Sequence, residues 1–197
     1  MPGHFEPVPG GGAAIALDEV EISILRSLAV QLLELIGPGE TPAEGEDPLA
    51  ALFAEGPSEA PSDPALARLF PDAYSGPGTE RPDEEQRAAS SEFRRFTEND
   101  LRAHKRDDAV AVVRGLDGLT VDGEGGAVLR LTADDSAHWL RALNDLRLTI
   151  GTRLEVGDED EADTLYRLPD TDPRKPMVMA YLWLGVLQET LVETLMP

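Results

Sequence analysis

The stretch FRRFTENDLRAHKRDD (residues 93–108) can be read as one helix or as the junction of two, and the bundle around it depends on the choice. Taken as one helix at about 100° per residue, Arg94, Arg95, Arg102, Lys105 and Arg106 fall within an arc of about 120°. Phe93, Phe96, Ala103, His104 and Ala111 then lie opposite, and the segment is amphipathic with a basic outer face. Taken as a junction, Thr97 is an N-cap, Asp100 completes a variant capping box, and Phe96 and Leu101 form a hydrophobic staple. Leu101, Val112, Val113 and Leu116 point where the basic arc of the first reading points, so a strict continuous wheel cannot bury both sets. That conflict favours a bend near Phe96–Thr97, which still leaves Arg102, Lys105 and Arg106 clustered at i, i+3 and i+4.

The five cations stand out because the chain has 17 Lys+Arg against 38 Asp+Glu, a formal charge of −21. They are a candidate interaction surface for acidic or phosphate groups. The competing reading is neutralisation by the protein's own acids, beginning with the favourably oriented i, i+4 pair Glu98–Arg102. A chain this acidic repels nucleic-acid backbones, since affinity for them rests on Lys and Arg displacing counterions. Direct DNA binding is therefore disfavoured, and a basic protein surface is the better electrostatic match.

Outward from this stretch, the pattern is helical. Residues 1–13 are rich in Pro and Gly and read as a flexible tail; residues 14–36 hold the first core helix, starting after Asp18 and stopping at Gly-Pro-Gly. Val20, Ile24, Leu28, Leu32 and Leu35 form one apolar stripe on it, and Ile22, Leu25, Ala29, Leu33 and Ile36 a second. A face that wide implies burial on more than one side. Residues 37–62 are an acidic Pro/Gly-rich linker, too polar to order itself. Two Asp-Pro starts, at Asp47 and Asp63, announce short helices running to Phe53 and Phe70. The remainder, 63–197, completes a single helical domain. It includes a helix over roughly Pro82–Gly115, a small hairpin within Leu119–Thr132, a helix capped by Thr132 and Asp135, and a final helix over Met177–Leu195. That last helix is apolar on nearly all sides over its first three turns, which places it in a core or under a partner. The fold class is mainly α: a compact multi-helix bundle with one short β-hairpin and a disordered acidic linker.

Chemistry is scarce. With no cysteine, disulfides, thiolate catalysis and zinc–cysteine sites are excluded. His4, His104 and His138 lie far apart without metal-ligand spacing, and no nucleophile elbow or phosphate loop occurs. The run DEDEAD (Asp158–Asp163) fails the calcium-loop test, with Asp163 where Gly and Pro169 where Glu is required. No cofactor is expected and no enzymatic activity. The N-terminus lacks a basic start and an apolar core, and the longest apolar run is too short for a bilayer, so the expected location is cytoplasmic and away from membranes.

EFRRFTENDLRAHKR (92–106), HWLRALNDLRLTIGTRLEV (138–156) and YLWLGVLQETLVETL (181–195), in that order, resemble an actinobacterial family. It was formerly a domain of unknown function and is now named after the oxidative-stress transcriptional regulator AosR. The resemblance implies a cytoplasmic, non-catalytic regulator of stress transcription acting through a sigma factor or RNA polymerase component. Proximity of the family's genes to that of the adaptor ClpS implies an alternative, a scaffold or adaptor in Clp-type protein turnover. The family's proposed redox switch needs a cysteine pair, and here there is none to carry it.

Overall fold

The computed structural model describes residues 3–38, 55–74, 83–120, 125–157 and 164–196. Two strands open the chain, β1 (Glu6–Pro7) and β2 (Ala13–Asp18), and β2 runs directly into α1 (Glu19–Ile36). A short helix α2 (Pro64–Leu69) precedes the long α3 (Glu84–Asp117), followed by β3 (Gly126–Leu131), α4 (Ala133–Arg153) and α5 (Lys175–Leu195). The short helix expected from Asp47 and the run DEDEAD lie outside the described residues.

The helix starts follow the caps. Asp18 accepts the Glu21 amide at 2.8 Å while the Glu21 carboxylate accepts the Asp18 amide at 3.0 Å, a reciprocal box that ends β2 and starts α1. Thr132 and Asp135 do the same for α4, and Asp63 caps α2 with Pro64 in its first turn. Asp83 and Gln86 form a third box, opening a helix of 34 residues that runs unbroken through Phe96–Thr97. The expected bend is therefore absent. Thr97 Oγ1 donates to the Phe93 carbonyl at 2.8 Å, one turn back within the helix, rather than capping a new one. Phe96 and Leu101, cast as a staple, are 61% and 40% exposed.

The sheet also departs from expectation. The partner of β3 is β2, in register Ala13↔Leu131, Ile15↔Leu129 and Leu17↔Ala127, with β1 antiparallel on the other side of β2, while residues 121–124 of the expected hairpin lie outside the described residues. The stretch read as a flexible tail and helix lead-in is thus the centre of a three-stranded sheet. Its period-2 alternation buries Ala13, Ile15 and Leu17 beside Ala127, Leu129 and Leu131, leaving Ala16, Val128 and Arg130 outside. Phe5 anchors this end: its ring meets Trp139 edge-on at 6.2 Å, and its amide donates to Thr190 Oγ1 at 3.1 Å. The ordering follows from burial, because these apolar side chains have the helices to pack on.

α1 packs on α3, α3 on α4 and α4 on α5, with α2 laid against α4. The core gathers Leu25, Ala29, Leu32 and Ile36 of α1, Val112 and Leu116 of α3, Trp139, Leu143 and Leu146 of α4, and Leu184, Leu187 and Leu191 of α5.

Gly12 turns the chain between β1 and β2 with φ +99°, and a Cβ there would lie 2.2 Å from the Leu131 carbonyl oxygen. Gly12→Ala should therefore cost about 3 kcal/mol, seen as a lowered urea midpoint with an unchanged slope.

Candidate functional site

The continuous α3 settles where the basic residues go, and they go inward. Arg94 is 5% exposed and Glu98, one turn on, 3%. An isolated carboxylate cannot be held there as an ion, so Glu98 is clamped from both sides. Arg94 Nη1 donates to Glu98 Oε2, while Arg102 Nε and Nη2 donate to Oε1 at 2.9 and 2.7 Å. The other Arg94 nitrogen reaches the Phe70 carbonyl at 3.0 Å and Asp72 at 2.8 Å, which ties the segment after α2 to α3. Burial opposes the charge on Arg94, but the hydrogen bonds to Asp72 and Glu98 outweigh it and hold its pKa above the ordinary arginine value.

Arg102 and Arg106 serve α1. That helix has no basic residue in its last turn, and its terminal carbonyls need donors. Arg102 Nη1 donates to the Ile36 carbonyl at 2.7 Å, and Arg106 Nη1 to those of Gly37 and Leu33. Both guanidiniums also complement the negative end of the helix dipole. The Arg102 guanidinium further stacks 4.3 Å above the Phe70 ring. Arg95 is half-buried, 3.5 Å from Glu55 and over the Phe96 ring. All five candidate surface residues, Lys105 through Asp145 included, thus have their charged groups on partners within the chain, and the basic arc faces the bundle more than solvent.

Further along α3, Lys105 Nζ donates to the buried Asp145 of α4 at 2.7 Å. Asp108, also buried, accepts two bonds from Arg141 at 2.9 and 2.8 Å and lies 2.6 Å from His138 Nδ1. Hydrogen bonding to Asp108 raises the Arg141 pKa, whereas burial raises that of Asp145 against the pull of Lys105. These groups line a cleft of about 530 Å³ with His104, Leu101 and Gln188. A carboxylate holding an imidazole is the geometry that aims a general base. Here Arg141 takes both oxygens of that carboxylate, and the arrangement joins α3 to α4 electrostatically. Sequence reasoning did not single out Asp108, Asp145, His138 and Arg141 as a group. The available signal was Asp145, an acid three residues after Ala142 on the apolar side of α4. Among the described residues no cluster of three or more His, Asp or Glu could hold a metal, and no helix is long and apolar enough to cross a membrane.

Arg94→Met should cost about 3–5 kcal/mol because it leaves Asp72 and half of Glu98 without a cation. Lys105→Met should cost about 3 kcal/mol at neutral pH by stranding the Asp145 charge. A raised folded pKa means the folded state holds the proton more tightly, so the Asp145 contribution is fully present below the ordinary carboxylate range. It is lost as pH rises through the folded value. Chemical denaturation of Lys105→Met should therefore show a deficit that shrinks on acidification.

The family model for a domain of unknown function (DUF2017) matches residues 2–195. The oxidative stress regulators AosR of Mycobacterium tuberculosis and Mycobacterium bovis are each 34% identical over 182 residues, covering 89% of this chain and 78% of theirs. The putative oxidative stress regulator AosR of Mycobacterium leprae is 31% identical over 182 residues, covering 89% of this chain and 79% of its own. No solved structure matches. With nearly its whole length matched, the chain belongs to the DUF2017 family that the sequence motifs pointed to, the family of the AosR regulators.

Proposed function

We propose that this chain is a cytoplasmic, non-enzymatic regulator of oxidative-stress transcription that works through a protein partner, a sigma factor or RNA polymerase component. The observation that carries the reading is the 34% identity over 182 residues to relatives named oxidative stress regulators. The site geometry supports the choice of a protein over DNA. Arg94, Arg102, Lys105 and Arg106 are engaged by Glu98, Asp145 and the end of α1, while the chain as a whole carries −21. Cations held this way are not offered to phosphates, whereas an acidic exterior steers encounters with basic protein surfaces.

Affinity purification of the tagged chain from peroxide-treated and untreated cells, with transcript profiles of a deletion strain, tests this. A sigma factor or polymerase subunit should co-purify, and stress transcripts should change on deletion. Recovery of Clp components with unchanged transcripts would replace the reading with a turnover adaptor. The purified chain should give no DNA shift at about 0.15 M salt.

A further inference from the structure

The first helix carries two apolar stripes; the bundle uses both over most of their length, with Leu28, Leu32 and Leu35 of the stripe begun by Val20 packed on the core, and leaves that stripe's N-terminal end open. Leu25, Ala29, Leu32 and Ile36 are buried, whereas Val20 and Ile24 are exposed. On α5, Val178, Leu184, Leu187 and Leu191 face the core while Met179 and Val186, on the other side, are 48% and 43% exposed. Exposed Ile24 on α1 and exposed Met179 and Val186 on α5 open onto one groove between the two helices. Its first half, about 680 Å³, is walled by Ile24, Tyr166, Met179, Leu182, Trp183 and Val186. Its second half, about 900 Å³, is walled by Leu28, Leu35, Ile150 and Met177, and the halves share Pro176 and Ala180. Along α1 the groove runs from Glu21 to Leu35, about 20 Å at 1.5 Å per residue, which suits a helix of about four turns. Apolar grooves of this shape take the apolar side of an amphipathic helix.

Charge selects the occupant. Glu21 lines the first half and Glu34 the second, and Arg153, the cation beside them, is paired with Asp63 at 2.6 Å. A second copy would bring the same acids and another −21 to the contact, so self-association is opposed. A helix with basic flanks is favoured by the same field.

The sulfur content adds a second property. The chain has four methionines and no cysteine. Met1 and Met196 are at or next to the chain ends, and the two internal thioethers, Met177 and Met179, stand one in each half of the groove. Peroxide transfers one oxygen to a thioether and leaves as water, converting an apolar side chain to a polar sulfoxide. An apolar contact through these positions weakens when that happens.

We propose that the α1–α5 groove docks a basic amphipathic helix of a protein partner, and that oxidation of Met177 and Met179 by peroxide loosens it. The oxidant arm rests on the regulator reading above; the docking arm stands on geometry and charge. The test uses the full chain and a designed 18-residue peptide with Leu on one helical face and Lys on its flanks. Trp183 lies in the groove and Trp139 in the core, so groove occupancy is read from Trp183 emission, with Trp183→Phe as the blank.

The Lys-flanked peptide should bind saturably. A Glu-flanked counterpart should bind at least tenfold more weakly, and Ile24→Asp with Val186→Asp should abolish binding without changing circular dichroism. Peroxide treatment should weaken binding at least tenfold, and a Met177→Leu/Met179→Leu chain should escape that loss. Equal binding of a charge-matched scrambled peptide overturns the docking arm. So does a dimer in sedimentation that Val186→Asp dissolves, because the groove is then a self-contact. Peroxide sensitivity that persists in the double Leu variant overturns the oxidant arm. If a sigma factor or polymerase subunit still co-purifies with the Ile24→Asp/Val186→Asp chain, the groove is wrong and the regulator reading survives. If the peptide binds but no transcription protein is recovered, the regulator reading fails instead.

Discussion

Glu98 is a carboxylate with almost no access to water, and much of this bundle is arranged so that it can remain one. A carboxylate buried this deeply without partners costs several kcal/mol. Held between Arg94 and Arg102 it organises three separate parts of the chain. Arg94 carries the contact to Phe70 and Asp72 after α2, and Arg102 carries it to the last carbonyl of α1. Because the three charged residues are four apart along α3, they present one inward line only if the helix is continuous. A bend at Phe96–Thr97 would turn Arg94 away from Glu98 and strand both.

This explains which parts of the structure were legible in the residues. Capping pairs are local, so Asp18, Asp63 and Thr132 with Asp135 marked helix starts correctly. The helical character of α1, α3, α4 and α5 followed from apolar spacing. The orientation of α3 did not, because helical-wheel reasoning sends charges outward and aromatics inward. Here Phe93 and Phe96 are exposed and Arg94 is buried, an inversion that only the partners in α1 and after α2 make affordable. Thr97 misled for a related reason: a Thr followed three residues later by an acid has the pattern of a cap, but inside a helix the hydroxyl can bond the carbonyl four residues back.

The sheet was hidden by distance. Ala13–Asp18 is short, Ala-rich and directly followed by a capped helix, so local propensity reads it as a lead-in. Its strand character comes from Gly126–Leu131, 113 residues further on, and from the helices beneath. Propensity does not report a partner that remote. The glycines at 10–12 were the local clue, since all three have positive φ in the turn between β1 and β2.

The same charges shape the outer surface. Arg102 and Arg106 hold the C-terminal end of α1 against the middle of α3, and Arg26 reaches Asp117, the last residue of α3, at 2.5 Å. α1 is thus tied to α3 along much of its length, and Ile24, Leu28 and Leu35 on another side line the groove toward α5. An apolar helix pair drawn together by burial alone would close such a gap, since burying apolar surface is favourable wherever geometry allows it. Here α4 supplies part of the wall between the two helices, through Leu146, Thr149 and Ile150. The breadth of the apolar face on α1 follows from this arrangement: Leu28, Leu32 and Leu35 pack on the core while Ile24, on the same stripe, stays exposed at the groove.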